Sequence, residues 1–237
     1  PDQVTEHLPI LIVLAPLLGA VFAALASWFW PKLSFPVVLL GLAVSCVSSI
    51  LLIFQVPESG VIHYQLGGWG KQEKYAGMVV GIQISVDFLN GLILAAVTTI
   101  ALLTAIYSHP TVERELKGQQ RYYFSLFSLL VAGLLGITIT GDIFNLYVFM
   151  EIAALSSYAL IAYGKKRATM ASFNYLIMGT MGACLYLLGV GFVFVKAGTL
   201  NIENLSEIIP NSLFSSQAVF VGFVLIMVGA WAKMAFF

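Results

Sequence analysis

About seven apolar runs, each near the ~20 residues an α-helix needs to cross a bilayer, leave this chain one class of fold. They cover roughly 8–30, 33–56, 86–108, 122–140, 143–163, 168–196 and 218–237, broken by Pro31-Lys32, Pro57, Gly141-Asp142 and polar loops. Hydrophobic residues make up 60% of the 237 and charged residues 9%, with mean hydropathy +0.96. A soluble domain carries about 25% charged residues. No single core can hide this much apolar surface, so lipid must take up the rest. The sequence predicts an all-α, polytopic transmembrane helical bundle and excludes an independent soluble enzyme. A net charge of zero argues against a nucleic-acid partner.

The first run is expected to be a retained membrane helix. Pro1–His7 lacks the basic region of a signal peptide, and no small-residue cleavage pattern follows. Loop charges set the orientation. With the N-terminus outside, the inner loops hold Lys32, Arg114, Lys117, Arg121, Lys165, Lys166 and Arg167. The outer loops hold Lys71, Lys74 and Lys196. This balance favours a multi-pass chain in the cytoplasmic membrane with its N-terminus outside.

Between the second and third spans, Ile62–Leu66 and Val80–Ile84 partly alternate, with Gly67, Gly68 and Gly70 between them. They read as an extracytoplasmic β-hairpin, serving either as a solvated cap or as an edge for a neighbouring subunit. His7, His63 and His109 are isolated loop residues and make no metal site, and Cys46 and Cys184 fall inside spans as small apolar fillers. Neither cofactor nor metal is expected. The sixth span carries Gly179, Gly182, Ala183, Gly189 and Gly191. Gly179 and Ala183, four apart, suit close helix packing, with a water-filled gap beside the helix as the alternative.

Glu151 stands in the apolar stretch Leu146–Leu155 with no partner in its own segment. A carboxylate at the bilayer centre costs roughly 2.5–3.5 kcal/mol on insertion scales, so the default reading is a functional one. Nine residues past Asp142 place it ~13 Å into its helix, near the midplane. Tyr147 and Tyr158 share its face and offer hydroxyls to the carboxylate or to a water beside it. Burial and a nearby cation act on a carboxylate's proton affinity in opposite senses, which suits a proton relay. Lys233 is the other formal charge well inside a span. A straight-helix count puts it ~22 Å in, which leaves two readings: snorkelling to the inner surface, or a buried role beside Glu151. Asp142 reads as a turn residue and N-cap, with an ion-access role second; Asp87 opens the third span in the same way.

Thr140-Gly-Asp-Ile-Phe-Asn-Leu-Tyr-Val-Phe-Met-Glu-Ile152 strongly resembles one family, the D-type membrane component of the Mrp multisubunit monovalent cation/proton antiporters. These proteins are homologous to the antiporter-like membrane subunits of complex I and of membrane-bound hydrogenases. Gly67-Gly68-Trp69, Val86-Asp87, Ala171–Gly179, Thr199–Leu205 and Gly229–Ala235 are similar to further family segments, so the resemblance covers essentially the whole chain. It implies that Glu151 and Lys233 form an ion pair whose opening and closing accompanies proton transfer, and that the seventh helix is interrupted after the lysine. It also implies a division into three leading helices with their extracytoplasmic loop at 57–85 (1–121) and the first part of an inverted, proton-translocating repeat (122–237). Two features depart from the family. Gly70–Gly77 replaces its usual Pro-containing stretch, and the chain stops partway through the seventh helix, as a fragment or split gene would.

The expected function is translocation of protons and Na⁺ or K⁺ by a transporter subunit, not an enzyme, within a multisubunit antiporter complex. Its partners are other membrane subunits and the lipid bilayer. The alternatives are a proton-pumping subunit of a complex I-like or hydrogenase-type redox complex, and an inactive structural half-length paralogue. The chain carries no Cys cluster, haem motif or dinucleotide-binding glycine pattern, so redox chemistry would belong to partners.

Overall fold

The structure, a computed structural model, describes residues 7–30, 33–66, 82–116, 118–164, 166–212 and 216–234. The elements run α1 (Leu8–Phe29), α2 (Ser34–Ser59), β1 (Ile62–Gln65), β2 (Gln83–Val86), α3 (Phe88–Glu115), α4 (Gln120–Ile139), α5 (Ile143–Ala162), α6 (Ala168–Ala197), α7 (Ile202–Ser212) and α8 (Gln217–Lys233). Among the described residues, α1 to α6 are long and apolar enough to span a membrane, and α8 is an apolar helix of 17 residues. Together they account for the seven expected spans.

Proline in the membrane needs a substitute donor, and α1 has one. Pro16 lies inside α1 and has no N–H, which leaves the Ile12 carbonyl one turn earlier without its helical bond. The Ser45 hydroxyl of α2 donates to that carbonyl at 2.6 Å. A neighbouring serine thus restores what the proline removed, as membrane helices require. Ser128 and Ser125 of α4 donate to the Pro16 and Ala20 carbonyls at 2.7 and 2.6 Å, and Ser49 meets Thr98 of α3 at 2.8 Å. We expect Ser45→Ala to cost the complex about 1–3 kcal/mol, because a buried carbonyl loses its donor. Pro16→Ala returns an N–H to Ile12, so the double variant should lose less than Ser45→Ala alone in thermal unfolding.

Three boundaries differ from the sequence reading. The third span was expected to end at Ser108, but α3 continues through Pro110 to Glu115. His109 is therefore a helical residue, and its ring packs on Phe35 and Phe124 with centroids 4.0 and 5.9 Å away. The stretch after the sixth span, expected as a polar loop, folds into α7. Asn201 caps it by accepting from Asn204 N–H at 3.1 Å, and Leu205 is buried beneath it. The second strand, expected to end at Ile84, covers Gln83–Val86; Val80 and Gly81, where it was expected to begin, lie outside the described residues.

The hairpin pairs β1 and β2 antiparallel, with His63 opposite Ser85 and Ile62 opposite Val86. Its tip, including Gly67, Gly68, Gly70 and the stretch that departs from the family, lies outside the described residues. The second edge of β2 meets the same chain: Ile84 bridges Thr140, and Gly141 N–H donates to the Gln83 carbonyl at 2.8 Å. A β-carbon at Gly141 would sit 3.0 Å from Ser85 Oγ and 3.1 Å from the Gln83 carbonyl oxygen, so this turn has little room for a side chain. The loop between α6 and α7 joins here too. Ile143 N–H donates to Leu200 and Ile202 N–H to Gly141, both at 2.9 Å. The hairpin, the α4–α5 turn and the start of α7 are thus tied together at one end of the bundle.

Candidate functional site

Two glycines of α4 decide where α5 points. A β-carbon at Gly133 would lie 2.8 Å from Ala153 N, and one at Gly136 would overlap the Phe149 ring. Their absence lets α5 settle against α4 on the face carrying Phe149 and Ala153. At 100° per residue the opposite face carries Tyr147, Glu151 and Tyr158. That face is turned to α6 and α8.

Glu151 Oε1 forms a hydrogen-bonded ion pair with Lys233 Nζ of α8. The lysine side chain is 12% exposed and the glutamate 24%. Straight-helix counts put Lys233 ~9 Å deeper than Glu151. Both side chains lean toward the N-terminal ends of their helices, and the longer lysine stem reaches further back than the glutamate does.

The α6–α8 approach that carries the lysine there is glycine on glycine. Gly182 and Gly189 of α6 face Gly229 and Gly222 of α8, each pair seven residues apart, and a β-carbon at Gly182 would also meet Lys233 Cγ at 3.6 Å. The close packing expected of the sixth span therefore centres on Gly182 and Gly189. Gly179 instead makes room for the Tyr158 hydroxyl of α5, and Ala183 is buried.

The two tyrosines that share this face of α5 meet residues of α6. Tyr147 stacks on Tyr186 of α6 at 6.3 Å, and Tyr158 makes an edge contact with Tyr175 at 4.7 Å. Tyr186 was missed by the sequence reading. Its hydroxyl donates to the Ile143 carbonyl at 3.2 Å, so one side chain spans from Tyr147 to the first turn of α5. The signal was available: Tyr175 and Tyr186, eleven residues apart, share a helical face. A cavity of about 760 Å³ lies elsewhere on α6, lined by Cys184, Leu188, Gly191 and Phe192 and touching none of these groups.

Asp142 occupies the N-cap of α5 and accepts from Asn145 N–H at 2.7 Å; Asp87 caps α3 in the same way at 2.6 Å. Burial pushes the Asp142 carboxyl above the usual carboxylate range, against the lowering effect of the Asn145 and Phe144 backbone N–H groups. A raised folded-state value means that the protonated acid favours the folded state. This contribution is complete below the unfolded value and is lost as pH rises through the folded one. Asparagine caps as well as aspartate and carries no charge. We therefore expect Asp142→Asn to gain stability relative to wild type as pH rises from 4 to 8, read as melting temperature at each pH.

The fold and the ion pair define a polytopic membrane protein with a Glu–Lys pair bridging two of its helices. Residues 140–237 match the transmembrane domain described as NADH:quinone oxidoreductase/Mrp antiporter. The chain is 38% identical over 238 residues to the N subunit of NADH-quinone oxidoreductase from Desulforudis audaxviator, covering 98% of this chain and 45% of that protein. It is 32% identical over 187 residues to the D subunit of the Na(+)/H(+) antiporter from Bacillus subtilis, covering 78% and 36%. Among solved structures, a chain of the membrane-bound sulfane sulfur reductase, an archaeal respiratory membrane complex, superposes with a TM-score of 0.83 at 30% identity, covering 97% of this chain and 44% of that one. The chain belongs to the family of antiporter-like membrane proteins that includes the D subunits of Mrp antiporters and the N subunits of NADH-quinone oxidoreductases. It spans about half the length of the relatives it matches.

Proposed function

We propose that this chain is part of a proton-translocating membrane subunit of a multisubunit cation/proton antiporter, with Glu151 and Lys233 as its switchable element. The observation that carries this reading is the ion pair itself, set between two helices of an apolar bundle where charge is costly. In this reading the pair opens and closes as α5 and α8 separate and rejoin, and that movement accompanies proton transfer to the next acceptor. Tyr147 and Tyr158 keep polar groups beside the carboxylate, and Asp142 guards the end of α5 from which ions would approach. Na⁺ or K⁺ is the exchanged cation in this reading. Residues 1–121 are the leading helices, and 122–237 the first part of the translocating repeat. The hairpin end faces outward, as the loop charges favour. Proton/cation exchange by the full complex in everted vesicles tests the proposal: undiminished exchange in both Glu151→Ala and Lys233→Ala refutes it.

A second reading is favoured by the identity to an NADH-quinone oxidoreductase component across 98% of the chain and by the likeness to a respiratory membrane complex. In it the same pair works within a proton-pumping redox assembly whose electron chemistry lies in other subunits. Purification of the native complex separates the two. Co-purifying iron–sulfur subunits support the redox assembly, and small membrane subunits without redox centres support the antiporter.

A further inference from the structure

Three side chains at the hairpin end hydrogen-bond in a single sense, and a backbone group sets it. The N–H of Asn204, in the first turn of α7, can only donate, and it donates to Asn201 Oδ1 at 3.1 Å. Asn201 must then present its nitrogen on the other side, and Nδ2 donates to Gln83 Oε1 at 2.8 Å. Gln83 in turn presents Nε2, which lies 2.7 Å from His63 Nδ1. His63 Nδ1 is thereby fixed as an acceptor, with the imidazole proton on Nε2. The Ser85 hydroxyl, 3.3 Å away, approaches the same nitrogen. Gln83 and Asn201 are 4% and 3% exposed, whereas His63 is exposed to solvent.

We propose that His63 is a proton sensor whose charging uncaps α7. A second proton on Nδ1 turns the acceptor into a donor facing the donor Nε2 of Gln83. Breaking that contact alone would leave the Nε2 group of buried Gln83 with only the long 3.5 Å bond to the Ser85 hydroxyl, a weaker arrangement than the one it loses. Reversing both amides restores the His63–Gln83 and Gln83–Asn201 bonds and moves the deficit to Asn204 N–H, which then meets Asn201 Nδ2. Asn204 is only partly buried, so water can serve that group there, and the first turn of α7 loosens. Asn201 also bridges Asp142, and Ile202 N–H is bonded to Gly141, so the change arrives at the cap of α5.

The charged surroundings define the controls. On β2 the ring faces Gln83 and Ser85, both uncharged, and the same alternation continues to Asp87, whose carboxylate caps α3. His7 is engaged with Tyr64, the neighbour of His63 on β1. Asp142 lies beyond Asn201, and α7 carries Glu203 and Glu207. Lys71, Glu73 and Lys74 belong to the hairpin connection outside the described residues. Histidine changes charge between about pH 5 and 8, above the ordinary range of exposed carboxylates.

The test is hydrogen–deuterium exchange of the intact complex at pH 7.5 and 5.5, corrected for the intrinsic pH dependence of exchange. Amides of the first turn of α7 should exchange about fivefold faster at the lower pH, the effect of losing an N-cap. His63→Gln, neutral throughout, should abolish the difference, and Asp142→Asn should preserve it. No pH difference in wild type, or a difference that survives His63→Gln, overturns the proposal. So does a difference that vanishes in Asp142→Asn, since the carboxylate would then be the sensor.

Discussion

Under the proposed function, Glu151→Ala should cut proton/cation exchange at least about tenfold while the complex still assembles. The carboxylate is one half of an ion pair whose other half, Lys233, is 12% exposed. Removing one partner of a buried pair leaves an uncompensated charge and typically costs about 3–5 kcal/mol. Here the lysine has an escape, since its long stem can carry the ammonium toward the surface, so the structural loss should fall below that range. The helices do not depend on the pair for their positions. Gly133 and Gly136 seat α5 on α4, Ser172 of α6 donates to the Tyr158 carbonyl at 2.6 Å, and the facing glycines hold α8 on α6. The proposed function has no such reserve, because the proposed switch needs a carboxylate opposite the lysine. We expect exchange in everted vesicles to fall at least about tenfold, a barrier change of only ~1.4 kcal/mol. Glu151→Gln should fall equally, since it keeps the shape and loses the charge. The Glu151→Ala/Lys233→Ala double variant should be no worse than either single one, as residues acting as a unit are not additive.

How far the sequence foretold this arrangement depended on the range of the cause. Asp87 and Asp142 were legible as caps because capping is local, with the acceptor three residues from its donor. Glu151, Tyr147 and Tyr158 were legible as one stripe because helical spacing is local too. The partners of the strand at Gln83 were not legible because they lie outside the hairpin, Gly141 on its carbonyl and Asn201 on its side chain. The start of α7 was hidden behind its charges, although Asn201 followed by Ile202, Leu205 and Ile209 carries both a cap and a helical apolar spacing. Pro110 looks like a stop, yet the helix tolerates it. Depth along two different helices was the hardest quantity, and counting from each helix start put Glu151 and Lys233 at different levels. Which glycines touch which helix could not be ranked from α6 alone, because the answer lies in the glycines of α8.

Those facing glycines support the second large effect. A β-carbon at Gly229 would stand 2.6 Å from the Gly182 carbonyl oxygen and 2.7 Å from Tyr186 N. Both are backbone atoms of α6 and cannot rotate away, so Gly229→Ala must push α8 outward. Overpacking of this kind costs about 1–3 kcal/mol, offset in part by the ~1 kcal/mol that alanine gains over glycine in a helix. Gly191→Ala isolates that offset: it makes the same exchange on α6, where nothing lies within 4 Å, and should be neutral or mildly stabilising. Lys233 sits one turn past Gly229, with its stem over Gly182, so an outward shift of α8 draws the ammonium from Glu151. We therefore expect Gly229→Ala to lower the melting temperature of the complex and its proton exchange together, with Gly191→Ala sparing both. Equal behaviour of the two variants would mean that the pair is set by something other than the close approach of α6 and α8. Exchange lost without any fall in melting temperature would mean that separating the charges, more than weakening the fold, is what the glycines guard against.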